Sequence, residues 1–230
     1  MRIVFLLSAL ALATLLSAAP SRAEDQSARI AALLPPLESN AGLLEDYSAC
    51  PADIFKRRAT LFSFFGTDEW PDLDGCAADI KLCHDACVQG ENGQACFSLA
   101  RVLQEHGAPA ADRHYEPLFA LACAIGKSGA CTNRGGGIRN GGYAADPSKN
   151  WSEEEKATCL RRTFKMTCDK GDAWGCAMYG QSLFLGEGGA QDDFAATAAF
   201  EKSCVLDPDF ASCEFSQSYL NDMKALAAPQ

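Results

Sequence analysis

Twelve cysteines are the residues of this 230-residue chain best equipped for chemistry, and the first of them is Cys50. Thiols at this density serve metal ligation, redox exchange or disulfide cross-linking. The densest cluster, Cys83-His84-Asp85-Ala86-Cys87, has the residue types of a metal or redox centre but the wrong spacing. Haem attachment needs Cys-x-x-Cys-His, and a thioredoxin-like centre needs Cys-x-x-Cys in a βαβ setting. Only three histidines exist, His84, His106 and His114. The last two flank one loop and read as a solvated pair, so neither a metal nor a cofactor is expected. Gly135-Gly136-Gly137 and Gly141-Gly142 lack the Gly-Lys-Ser/Thr ending of a phosphate loop and read as glycines of an inserted loop. Glu153-Glu154-Glu155 follow Ser152, where negative charge suits the start of a helix better than acid–base work.

The cysteines fall into register. Cys87–Cys96, Cys123–Cys131, Cys168–Cys176 and Cys204–Cys213 are pairs eight or nine positions apart, each with Gly or Asp-Pro turn chemistry between. Their first members lie 36, 45 and 36 residues apart (87, 123, 168, 204), the middle interval being 36 plus nine extra residues between Gly135 and Trp151. Phe119, Phe164 and Phe200 stand four before a first cysteine. Ala100, Gly135 and Gly180 stand four after a second one, where the last unit has Gln217. Leu103, Ile138, Leu183 and Leu220 stand seven after it. Offsets of four and seven share one helix face. Each unit is therefore two helices, the small residue allowing close approach and the Phe filling the gap. The spacing predicts the four disulfides just named, each tying one unit to the next. Of the four remaining cysteines, Cys50 is expected to pair with Cys76 or Cys83, leaving Cys159 without an assigned partner.

These elements need an oxidising compartment. Arg2, the apolar run Ile3 to Ala19 and the ending Pro20-Ser21-Arg22-Ala23 form an export signal, residues 1–23, with cleavage expected after Ala23. The absence of a cysteine near that point argues against a lipid anchor, and no membrane insertion is expected after cleavage. Removing Arg2 and Arg22 takes 20 basic residues to 18 against 30 acidic ones, a charge of −12, and no basic stripe remains to hold nucleic acid. Residues 24–49 read as a leader broken at Pro35-Pro36, and 50–87 as a degenerate helix pair, Cys50 to Phe65 and Cys76 to Cys87. Residues 88–230 hold the repeats, with units starting near 88, 124, 169 and 205.

Gly175-Cys176-Ala177-Met178-Tyr179-Gly180, Cys131-Thr132-Asn133-Arg134-Gly135, Gly186-Glu187-Gly188 and Phe200-Glu201-Lys202-Ser203-Cys204 resemble the Sel-one-like repeat family, relatives of the tetratricopeptide repeat. The likeness is to its cysteine-rich type, secreted by some Gram-negative bacteria, and covers roughly residues 76 to 226. Departures are the glycine triplet inside a first helix and Pro117 early in a second. The resemblance implies an all-α, right-handed solenoid of stacked, disulfide-linked helix pairs whose first helices line a concave wall. Ser98, Asn133 and Met178, two after their cysteines, are then the ligand-side positions, with Arg101 and Gln181 nearby. It also implies an exported, periplasmic or secreted monomer that binds a protein or a peptidoglycan-derived ligand. Some members are reported to bind or hydrolyse β-lactams. Here, however, no serine stands three before any lysine and Lys-Thr-Gly is absent, so no catalytic residue is expected. A β-lactam or peptidoglycan-fragment hydrolase and a thiol redox protein are the alternatives to an interaction module.

Overall fold

A computed structural model describes residues 28–30, 32, 46–58, 71–89, 92–106, 112–141 and 146–227; the expected signal segment lies outside them. The described residues are all-α. A one-turn helix, α1 (Pro51–Ile54), is followed by α2 (Leu73–Ala78), α3 (Ile80–Val88), α4 (Gly93–His106), α5 (Asp112–Ile125) and α6 (Ser128–Arg139). After a 3₁₀ turn at Pro147–Asn150 come α7 (Glu153–Asp169), α8 (Ala173–Leu185), α9 (Asp193–Leu206) and α10 (Ala211–Ala227). From α3 onward each helix packs on the next, and α6 with α8 and α8 with α10 also touch, so the chain is a solenoid of stacked helix pairs. No described helix is long and apolar enough to cross a membrane.

Helix starts follow local chemistry. Asp72, Asp79, Asp172 and Asp192 each accept a backbone N–H of their own first turn. Ser152 and Glu155 form a reciprocal capping box that opens α7, with Glu153 and Glu154 beside it at the positive end of the helix. Helix α5 runs through Pro117, which lies in its second turn.

The repeat register is a packing rule. A Cβ on Gly180 would sit 2.7 Å from the Phe200 ring, and one on Gly135 would sit 2.8 Å from Phe164. The Phe164 and Phe200 rings thus come too close to the backbone of the preceding helix to admit a Cβ at Gly135 or Gly180, where the first unit has the small Ala100. Phe119, Phe164 and Phe200 are at most 1% exposed. Burying each contributes roughly 1.5–3 kcal/mol.

Six disulfides close the structure, and the described residues hold no free cysteine. Cys87–Cys96, Cys123–Cys131, Cys168–Cys176 and Cys204–Cys213 join consecutive helices with Cα separations of 4.6, 4.7, 4.3 and 4.4 Å. The expected pairing of Cys50 with Cys76 or Cys83 does not occur: Cys76 pairs with Cys83, and Cys50 with Cys159, 109 residues away. The reason is the route of the N-terminal segment. Residues 46–58 do not stack as a helix pair below the repeats; they cross α5, α6 and α7 as a strap. The Pro51 carbonyl lies 3.3 Å from Cys123 Sγ, Arg58 N donates to Ala124 O at 2.8 Å, and Ala52 N donates to Thr163 Oγ1 at 3.2 Å. Ile54 is fully buried there. The expected helix over 76–87 is likewise split, Asp79 ending α2 and capping α3.

Candidate ligand groove

Helices α4, α6 and α8 each present one stripe to a common groove of about 550 Å³. In α4 the stripe is Phe97, Arg101 and Gln104; in α6 it is Gly129, Asn133 and Gly136, continued by Asn140 at its C-terminal end; in α8 it is Trp174 and Met178. These are i, i+4, i+7 spacings, the geometry by which one helix face meets one partner. Tyr115 and Glu116 of α5 close one side, and Phe210, ahead of α10, packs edge-on to Trp174 at 6.4 Å. The groove thus combines the rings of Phe97, Tyr115, Trp174 and Phe210 with the side-chain amides of Gln104, Asn133 and Asn140.

Of the expected ligand-side residues, Arg101, Asn133 and Met178 line this groove. Ser98 does not: it is 1% exposed, donates to the Pro71 carbonyl at 3.0 Å and accepts from Gln94 Nε2 at 2.9 Å. The chain at Pro71 and α2 pack over that side of α4, which the repeat register alone gave no means of foreseeing. Gln181 lies outside the groove lining, tied to Arg139 and donating to Tyr219 Oη at 2.6 Å. His84 faces Asp85, Nδ1 to Oδ1 3.1 Å, and His106 is exposed at the end of α4, while the side chain of His114 lies outside the described residues. Both cysteines of the Cys83–Cys87 cluster are in disulfides, and the described residues contain no group of three metal-ligating side chains.

Behind the groove lies a buried charge cluster that the sequence reading missed. Arg134 is wholly buried. Its Nη1 donates to Asp146 Oδ2 at 2.7 Å and Glu116 Oε2 at 3.0 Å; its Nη2 donates to Asp146 Oδ1 at 2.9 Å and the Tyr47 carbonyl at 3.3 Å. The guanidinium lies 4.4 Å from the centre of the Tyr47 ring. Burial works against its charge, but the two carboxylates outweigh that and raise its pKa. Burial also opposes ionisation of Asp146, yet Arg134 and Ser148 hold its carboxyl down to about 2. The glycine triplet serves this cluster. Gly135–Gly137 belong to α6 rather than to an inserted loop, the turn beginning at Asn140. A Cβ on Gly137 would fall 2.1 Å from Glu116 Oε1, so the glycine makes room for that carboxylate. The nine extra residues deliver Asp146 to the cluster, and an arginine three residues after Cys131 beside three glycines was the available signal.

One groove carboxylate is different. Asp172 caps α8, accepting from Gly175 N at 2.9 Å and from the Thr132 hydroxyl. Burial raises its pKa against both hydrogen bonds. No protein-family model matches this chain, and no curated protein and no solved structure matches it either.

Proposed function

We propose that this chain is an exported interaction module of Sel-one-like repeats, periplasmic or secreted, whose groove grips an extended segment of a partner protein or a peptide-bearing fragment of the cell wall. The disulfides mark an oxidising compartment outside the cytosol. The observation that carries the functional reading is that three successive first helices contribute Arg101, Asn133 and Met178 to one groove. The amides of Gln104, Asn133 and Asn140 suit the N–H and C=O groups of a peptide backbone. The rings of Phe97 and Trp174 suit apolar side chains of such a segment.

A photo-crosslinking side chain at Asn133, used in cells and followed by mass spectrometry, is the test. One dominant captured species is expected. Arg101→Glu should reduce that capture severalfold, while the melting temperature barely moves, because Arg101 is half-exposed and its ion pair with Glu105 is a surface one worth about 0–1 kcal/mol. Undiminished capture by that variant would sink the groove as the binding surface.

Binding is favoured over turnover of β-lactams. Acyl transfer needs a reachable nucleophile beside a base. Ser98 is held by Pro71, and Ser182, though it donates to Glu187 Oε2 at 2.6 Å and accepts from Arg139 at 2.8 Å, is fully buried. Hydrolysis of a chromogenic cephalosporin by the oxidised protein should match a mock preparation. Turnover that co-purifies and is lost with one serine or histidine would overturn this.

A further inference from the structure

The register that closes every other unit leaves the last one open. Leu103, Ile138 and Leu183 are at most 2% exposed, Ile138 and Leu183 packing on the Phe of the second helix of their own unit. Their counterpart Leu220 in α10 is only half-buried, and no described helix follows α10 to cover it. A cavity of about 470 Å³ results between α9 and α10, walled by Phe184, Leu220 and Met223. At its rim Phe194 is 88% and Leu226 75% exposed. The end of a solenoid ordinarily presents a polar face to water, and an exposed apolar patch at that place marks a contact surface. A further repeat of the usual kind fits poorly: exposed Gln217 stands where Gly180 and Gly135 admit a Phe ring, so a helix cannot approach as closely there.

We propose that a second copy of this chain covers this face, related by a two-fold axis that seats Phe194 of each copy in the cavity of the other. Charge argues for self-pairing. Asp193 on α9 and Lys224 on α10 flank the same cavity, and neither has an ion pair among the described residues. A two-fold contact is self-complementary, so Asp193 of each copy meets Lys224 of the other, twice. The chain as a whole, at −10, repels its own copies, and this patch is apolar and locally balanced in charge. The dimer replaces the expected monomer and leaves the groove on α4, α6 and α8 free in both copies.

Sedimentation velocity of the exported chain with disulfides intact, from micromolar to submillimolar concentration, tests this. A concentration-dependent dimer is expected. Phe194→Glu should abolish it with the helical circular dichroism unchanged, since the side chain is almost wholly exposed. Asp193→Lys and Lys224→Asp should each weaken the dimer about tenfold, and the double variant should recover it, as coupled charges across one contact do. A wild type that stays monomeric throughout overturns the proposal and assigns the face to a different occupant. A dimer indifferent to Phe194→Glu, or a double variant no better than the singles, overturns the two-fold contact described.

Discussion

A single methyl group separates a required glycine from a dispensable one in this fold. Gly180→Ala drives a Cβ into the Phe200 ring and should destabilise the protein by about 1–3 kcal/mol in chemical denaturation. Gly136→Ala meets nothing within 4 Å and replaces a poor helix former by the best one, so it should stabilise by up to about 1 kcal/mol. Arg134 is the residue whose loss should be felt most. Arg134→Met leaves Glu116 and Asp146 buried without their cation and should cost about 3–5 kcal/mol at neutral pH. Arg134→Lys should recover little, because one ammonium cannot reproduce the two-pronged contact with Asp146. The pair also fixes an acid response. Asp146 is held down to about 2 against an ordinary 3.8, so its contribution is complete above about pH 4 and is lost as the pH falls toward 2. Asp172, raised by burial, works in the opposite sense: its protonation favours the folded state and offsets part of that loss. Thermal melts of the wild type should therefore fall between about pH 4 and 2. In Arg134→Met only the Ser148 hydrogen bonds still oppose the effect of burial on Asp146, and the acid limb should flatten.

At the scale of helices, the repeats were legible and the N-terminal strap was not, for a physical reason. Cysteine pairs eight or nine apart, a Phe four before and a small residue four after are local patterns imposed by every stacked pair in turn. The strap obeys no period. Its place is set by contacts made once, such as the burial of Ile54 at the end of α1, the Tyr47 ring against Arg134, and the bond of Cys50 with Cys159. The same division runs through the groove: the stripe holding Arg101, Asn133 and Met178 follows helical periodicity, whereas Ser98 is covered by a segment far away in sequence. The two missed disulfides should differ in weight. In the chain-entropy account a loop of 109 residues contributes about 5 kcal/mol and one of seven residues about 2, the larger figure being reduced by the three smaller disulfide loops nested inside it. Cys50→Ser/Cys159→Ser should thus lower the denaturation midpoint more than Cys76→Ser/Cys83→Ser. Equal losses would mean that the strap is held by its packing and hydrogen bonds alone.

Taken as one molecule, the chain closes five of its six disulfides between cysteines whose own loop contains no other cysteine, and one across six of them. That asymmetry has a biosynthetic consequence. A chain threaded N-terminus first into an oxidising compartment presents Cys50 to Cys76, Cys83, Cys87, Cys96, Cys123 and Cys131 before Cys159 arrives. Oxidation in order of emergence would join Cys50 to Cys76 and displace every pairing up to Cys159. The native set then requires Cys50 to remain reduced, or a wrong bridge to be opened by thiolate attack and exchanged. Maturation should accordingly depend on a disulfide isomerase. Without one, wild-type protein should accumulate as mispaired species on non-reducing gels, while Cys50→Ser/Cys159→Ser, whose five remaining bridges all join neighbouring cysteines, should mature unaided.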